Sequence, residues 1–234
     1  MAPMKQIIAM GGGGFSMEPH NLLLDRYVLA QTGKTRPRVC FVGTASGDAI
    51  GYIERFYTAF RTLECEPCHL SVFNGPLGSW RDYVLSKDVI YVGGGNTRNL
   101  LALWRDWGLD RIMREAWEQG IVMAGVSAGS ICWFEAGVTD SIPGPLTPLP
   151  CLGFLKGSNC PHYDGEANRR PSYHSLMGAG QIVPGIACDD GAAVHFVGDE
   201  LHRIVSSRKT ARAYRVTVAG KSVDEKEIVP DYLG

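Results

Sequence analysis

The stretch IVMAGVSAGSICWFE, Ile121 to Glu135, decides how the fold is read. An apolar run, Ile121 to Ala124, ends in Gly125-Val126-Ser127-Ala128-Gly129, and a helix-like segment follows. A buried strand, a sharp glycine-flanked turn and a helix would hold the Ser127 hydroxyl at an exposed elbow. Amide N–H groups at the helix start would face whatever Ser127 attacks and stabilise negative charge developing there. The same G-x-S-x-G pattern also occurs in tight turns whose glycines only permit close packing. The serine therefore needs partners elsewhere in the chain before it counts as a nucleophile.

Working outward, strand and helix patterns alternate through the first 135 residues. Gln6 to Met10 is a short apolar run closed by Gly11 to Gly14, which read as a tight strand-to-helix turn. Ser16 is placed to cap a helix from about Glu18 to Gly33, followed by a strand at Arg38 to Gly43. Tyr52, Phe56, Phe60 and Leu63 recur at helical spacing. A weaker strand is expected near Cys68 to Phe73, another at Asp88 to Val92, and helices at Arg98 to Trp107 and Asp110 to Gln119. This alternation predicts an α/β fold, a three-layer sandwich with helices on both faces of a mostly parallel central sheet. Ligands of such sheets bind at the carboxyl ends of the strands. Gly11 to Gly14, the Thr44 to Asp48 loop, Gly93 to Gly95 and Ser127 should all gather there. Bare backbone at Gly93 to Gly95 could supply the second half of an oxyanion hole. Neither glycine loop has the register of a phosphate or dinucleotide loop.

After Ala136 the character changes. Ser141 to Pro150 is a proline-rich loop, a helix is expected from Ser172 to Met177, and Ile182 to Tyr214 holds short alternating strands like a β-meander. Tyr214 to Val218 and beyond read as an edge strand and tail. No stretch looks like a linker, so residues 1–234 are read as one domain with a β-rich C-terminal portion.

Apolar residues make up 45% and charged residues 20%, ordinary values for a globular chain with a sizeable core. A net charge of −1 gives no electrostatic footprint for nucleic acid or an anionic membrane. Apolar runs are too short to span a bilayer, and no signal peptide opens the chain, so a cytoplasmic location is expected. Seven cysteines are an odd number in a chain too large to need disulfide staples. Cys40, Cys132 and Cys188 read as small core residues. Cys65 and Cys68 have C-x-x-C spacing but no second pair or helix start beside them, and no cluster has metal-ligand spacing, so neither metal nor cofactor is expected.

A serine hydroxyl needs a base within hydrogen-bond reach, itself oriented by an acid. Of six histidines, His20 falls inside the first helix pattern, His69 beside a weak strand, His174 on an ordinary helix, and His195 and His202 in alternating strands. His162 differs: it follows Pro161 at a strand end and precedes Tyr163, Asp164 and a charged loop. For the acid, Asp189 and Asp190 close the apolar run Ile186 to Cys188, while Asp140 and Asp164 are further candidates.

The ordered set YVGGGNT (Tyr91 to Thr97), AGVSAGS (Ala124 to Ser130), PHYDGEANRR (Pro161 to Arg170) and CDDGAA (Cys188 to Ala193) resembles the peptidase E family. These are aspartyl dipeptidases, serine hydrolases on a class I glutamine amidotransferase-like (flavodoxin-like) fold, with cyanophycinases as relatives. The order Ser127, His162, Asp190 also departs from the α/β-hydrolases, in which the acid precedes the histidine. The resemblance implies Ser127 as nucleophile, His162 as general base and Asp190 as acid, where the family often carries glutamate, with Asp189 as runner-up. It implies an oxyanion hole from the N–H groups of Gly95 and Ala128, and a substrate site lined by Asn96 and Thr97. An N-terminal aspartate would need a cation, for which Arg169 and Arg170 are the candidates. The expected activity is cleavage of short peptides after an N-terminal aspartate, with a small peptide as partner and a homodimer as the assembly. The alternatives are a cyanophycinase-like or other acyl hydrolase and a non-catalytic binding module.

Overall fold

The computed structural model describes residues 3–75, 78–220 and 222–234; Met1 and Ala2, part of the expected chain opening, lie outside the described residues. The chain runs β1 (Gln6–Met10), α1 (Gly14–Met17), α2 (Leu23–Ala30), β2 (Arg38–Val42), α3 (Ile50–Phe60), β3 (Glu66–Leu70), α4 (Trp80–Leu85) and β4 (Val89–Val92). It continues with α5 (Thr97–Trp107), α6 (Leu109–Glu118), β5 (Val122–Val126), α7 (Ala128–Ile131), β6 (Phe134–Thr139), β7 (Thr147–Pro150) and β8 (Leu155–Cys160). Last come α8 (Arg169–Gly178), β9 (Gly185–Cys188), β10 (Ala192–Val197), β11 (Glu200–Ser206), β12 (Ala213–Ala219), β13 (Ser222–Ile228) and β14 (Asp231–Tyr232).

Among the described residues, eight strands form a sheet in the order β14-β11-β10-β1-β5-β4-β2-β3, parallel from β1 through to β3. Six more form a second sheet, β13-β12-β9-β8-β6-β7. The α/β class and mostly parallel central sheet are as expected. Alternation along each strand divides the core. Ile8, Met10, Phe41 and Tyr91 face α1, α2 and α3, whose Phe15, Phe56 and Phe60 are fully buried. Ile7, Ala9, Cys40 and Ile90 face α5 and α6 through Trp104 and Met113, and the second sheet through Trp133, Phe134 and Leu155. Both faces of the central strands are therefore dry, which is why those strands read as unbroken apolar runs.

Several expectations are corrected. Pro19 disfavours helical geometry at Glu18 (φ −128°, ψ 69°), so the first helix is split into α1 and α2. Ser16 lies inside α1 rather than capping it, and His20 sits in the intervening turn. Helix α4, capped by the Ser79 hydroxyl, was not anticipated. The helix after Ser127 is a single turn, since Phe134 already enters β6. Thr147 to Pro150, inside the proline-rich loop, pairs with β6 as an edge strand, where two prolines leave no ladder bond unmade on the open side. The supposed meander is divided, with β9 in the second sheet and the β10–β11 hairpin in the first. Strand β12 is interior; β13 is the edge, blunted by Asp224, Glu225, Lys226 and Glu227.

Candidate active site

The carboxyl ends of β1, β4 and β5 lie side by side, with Met10 opposite Val126 and Val92 opposite Gly125. Ser127 leaves β5 with φ 57° and ψ −116°, a conformation that costs a non-glycine residue about 1–3 kcal/mol and persists only under surrounding constraint. Here the constraint is visible. The Ser127 N–H donates to the Met10 carbonyl at 3.2 Å, and its own carbonyl accepts the Ser130 and Ile131 N–H groups at 2.8 and 2.9 Å. Gly129 is required by close approach, because a Cβ there would lie 2.2 Å from the Val92 carbonyl oxygen. The Ser130 hydroxyl then donates to Asn159 Oδ1 at 2.9 Å, which fastens the elbow to β8.

Strand β8 delivers His162. This residue also has positive φ (54°), and its N–H donates to the Gly11 carbonyl at 3.2 Å. Its Nδ1 lies 2.7 Å from Asp190 Oδ1, so with an ionised carboxylate Nδ1 carries the proton and Nε2 is free to accept one. Asp190 is 7% exposed, and its own N–H donates to Asp164 Oδ1 at 2.8 Å. Asp164 thus braces the loop and makes no hydrogen bond to the histidine among the described residues. Two glycines make room for the Asp190 carboxylate: a Cβ on Gly12 would lie 1.9 Å from Oδ1, and one on Gly165 would lie 2.3 Å from Oδ2. The run Gly11 to Gly14 is therefore more than the tight turn expected, because Gly191 N–H also donates to the Gly12 carbonyl.

Asp189 points elsewhere. Its Oδ2 accepts the Arg212 N–H at 2.9 Å, Oδ1 is buried without a partner among the described residues, and burial pushes its pKa up to about 6. Among the described residues Ser127 Oγ makes no hydrogen bond to His162. Pairs of this kind are often loose without substrate and tighten on binding.

Beside Ser127 runs the loop Gly93 to Gly95. The Gly94 N–H donates to the Tyr52 hydroxyl at 3.2 Å, and that hydroxyl lies 2.6 Å from Ser16 Oγ. The N–H groups of Gly95 and Ala128 make no hydrogen bond among the described residues, which leaves both available to an oxyanion.

A cleft of about 280 Å³ opens here, lined by Gly95, Asn96, Ser127, Asp140, Ser141, Glu166 and Arg169. Larger hollows elsewhere are not lined by Ser127. Arg169, 2% exposed, donates from Nε to Glu166 Oε2 at 2.6 Å and from a terminal nitrogen to the Val138 carbonyl at 2.9 Å; its other terminal nitrogen is 3.7 Å from Asp140. Arg170 faces away from the cleft, paired with Glu225 and lying over the rings of Tyr163 and Tyr214. Asn96 lines the cleft, but its side chain caps α5 through Asn99 N–H (2.9 Å) and donates to the Ser141 carbonyl (3.0 Å). Thr97 is buried, 3.4 Å from the Thr139 hydroxyl, and does not line the cleft. Sequence reasoning missed Tyr52 and Glu166 altogether and took Asp140 only for a possible triad acid. Glu166 sat inside the motif that carried the resemblance, whereas Tyr52 gave no local signal.

Three of the other histidines have structural partners. His195 bonds Tyr27 and Gln6, His69 bonds Tyr57, and His174 bonds Glu225. Among the described residues no group of three or more His, Cys, Asp or Glu could hold a metal ion, and no helix is long and apolar enough to cross a membrane.

Comparison with known proteins bears on the family and the fold. The chain is 61% identical over 231 residues to the uncharacterized peptidase YgaJ of Bacillus subtilis (strain 168), covering 99% of this chain and all of that one. It is 29% identical over 160 residues to Peptidase E of Shewanella amazonensis, covering 64% and 66% of the two chains. In fold it is similar to the crystal structure of a peptidase from an acI-B1 Actinobacterium (TM-score 0.73, 15% identity, 97% and 95% of the chains covered). It is likewise similar to a candidate peptidase E protein from Listeria monocytogenes EGD-e (TM-score 0.62, 20% identity, 96% and 99% covered). The model of peptidase family S51 matches residues 7–204, and the chain belongs to that family.

Proposed function

We propose that this peptidase is of the serine type and cuts short peptides after an acidic N-terminal residue. The observation that carries the first half is the 2.7 Å contact of His162 Nδ1 with Asp190, on the strand end that also anchors Ser127. In this reading His162 Nε2 takes the Ser127 proton as Oγ attacks the scissile carbonyl. The Gly95 and Ala128 N–H groups hold the oxyanion, and Asp190 stabilises the imidazolium. His162 then protonates the leaving amine, and water, activated by the same histidine, releases the acyl group. Ser127→Ala should abolish turnover of Asp-Xaa dipeptides with the fold intact; turnover at the wild-type rate would remove Ser127 from the mechanism.

The preference for acid rests on Arg169, the arginine lining the cleft, whose terminal nitrogen facing Asp140 at 3.7 Å makes no hydrogen bond among the described residues. A substrate carboxylate would displace the exposed Asp140 from that nitrogen and accept its protons in a charge-assisted pair. A second reading is favoured by the charge of the same cleft. Asp140 and Glu166 outnumber Arg169, which suits a neutral or cationic N-terminal residue. A matched panel of Asp-Leu, Ala-Leu and Lys-Leu separates the two: a kcat/KM highest for Asp-Leu supports the first, and one lowest for Asp-Leu supports the second.

A further inference from the structure

The C-x-x-C spacing of Cys65 and Cys68 is not what the fold brings together. Cys65 belongs to the core on the α3 side of the sheet and donates its thiol proton to the Phe60 carbonyl at 3.3 Å. Cys68, three residues on, lies on the opposite face, packed against the core beneath α4. Its neighbour there is Cys40, directly opposite it in the parallel register of β2 and β3. Adjacent strands lie about 4.8 Å apart, inside the roughly 4.4–6.8 Å Cα separation that a disulfide spans. Both side chains lie on the same face of the sheet, the Cys40 thiol donating to the Phe41 carbonyl (3.8 Å) and the Cys68 thiol to the Val39 carbonyl (3.3 Å), with Cys40 fully buried and Cys68 half-buried on the edge strand.

We propose that Cys68 is an oxidant-sensitive modification site and that Cys40, not Cys65, is its resolving partner. Tyr83, whose hydroxyl donates to the His69 carbonyl at 2.9 Å, and Lys87, whose ammonium lies 3.8 Å from the Tyr83 ring centroid, are the polar neighbours of Cys68. The influence of neighbouring Cys40, with help from Tyr83 and Lys87, outweighs burial and brings the Cys68 thiol down to about 6, whereas burial holds Cys40 up as a thiol. Such an asymmetric pair has one nucleophile and one proton-bearing partner. With a hydroperoxide as oxidant, the Cys68 thiolate attacks the terminal oxygen; the O–O bond breaks and hydroxide or alkoxide leaves. The Cys40 sulfur then attacks the resulting sulfenic acid, the S–O bond breaks, and the hydroxyl departs as water with the Cys40 proton. Two thiols and one peroxide give one disulfide, and an added thiol reverses it.

The test is peptide mapping of wild-type protein after brief exposure to a few equivalents of hydrogen peroxide and alkylation of the remaining thiols. A peptide pair linked through Cys40 and Cys68, lost on treatment with dithiothreitol and still formed in Cys65→Ser, is the expected result. In Cys40→Ser, which keeps a donor beside Cys68 but cannot form the disulfide, a dimedone adduct should accumulate at Cys68 instead. A Cys65–Cys68 link, or a Cys68 no more reactive than buried Cys188, overturns the proposal. A Cys68 sulfenic acid that persists in wild-type protein without linking overturns the role given to Cys40. Because the mapping is done on wild-type protein, the decision does not depend on either variant folding.

Discussion

Ser127 and His162 hang from adjacent carbonyls of one strand end. The Ser127 N–H donates to Met10 and the His162 N–H to Gly11, each at 3.2 Å. The next carbonyl, that of Gly12, accepts from Gly191, whose neighbour Asp190 meets His162. Three consecutive residues thus set the spacing of serine, histidine and acid, although the three arrive from different strands. Backbone bonds of this kind are stiff, which suits a site that has to hold its geometry to within about 0.5 Å.

The contrast between neighbouring acids is the sharpest test of the triad. Asp190→Asn should lower kcat by about 10⁴-fold with little change in KM, because the amide no longer holds the imidazole in the tautomer that accepts the serine proton. Asp189→Asn should leave kcat within a few-fold, since Asp189 bonds the Arg212 backbone. Steady-state kinetics on a single dipeptide decides it.

Gly12→Ala places a methyl group 1.9 Å from the native position of Asp190 Oδ1. The carboxylate has to move, and the His162 bond goes with it. Activity should fall at least 100-fold while circular dichroism shows a folded protein; near-native kcat would mean that the Asp190 contact is dispensable.

Tyr52→Phe removes the acceptor of the Gly94 N–H and the partner of Ser16. The Gly94 N–H is part-buried, so losing its acceptor costs at most about the 1–3 kcal/mol of a fully buried orphan. The strain should appear in the neighbouring Gly95 N–H, lowering kcat roughly tenfold and slowing phosphonylation of Ser127 by a fluorophosphonate probe, with KM nearly unchanged.

Of the two arginines, only Arg169→Lys should change selectivity across the dipeptide panel, because a lysine cannot reproduce its fork between Glu166 and the Val138 carbonyl. Arg170→Lys should leave selectivity as it is and affect only the Glu225 side of the second sheet.

Buried His195 gives a pH prediction. Burial lowers its pKa from 6.5 to about 4, with its ring nitrogens spent on Tyr27 and Gln6. Between these values the unfolded chain binds the proton and the folded protein does not. Stability therefore falls as pH drops from 6.5 through 4, by on the order of 3 kcal/mol. Asp25 and Asp189, both raised to about 6 by burial, work in the opposite direction below pH 6. Urea unfolding of wild type and His195→Gln isolates the histidine, since the two aspartates cancel in the difference: wild type should lose more stability between pH 7 and 4.5 than the variant.

The local pattern of the chain was enough for the parallel sheet and the serine elbow. An apolar run buried on both faces, a glycine-flanked serine and a helix start are contiguous in sequence, and their physics is contiguous too. The junction after Pro161 set His162 apart from the other histidines, and chain order told only against an α/β-hydrolase. The choice between Asp189 and Asp190 was not legible, because one residue along the chain turns a side chain to the other side. The same reason separates Arg169 in the cleft from Arg170 against Glu225. The glycines at Gly11 and Gly12 looked like a turn because their use depends on Cys188, Asp189 and Asp190, more than 150 residues away. Tyr52 gave no signal, since its hydroxyl acts on a loop some forty residues downstream. Sequence alone determined what could be read within one turn or one strand; only the tertiary structure decided which distant groups share a strand end, because hydrogen bonds there join backbone that no local periodicity links.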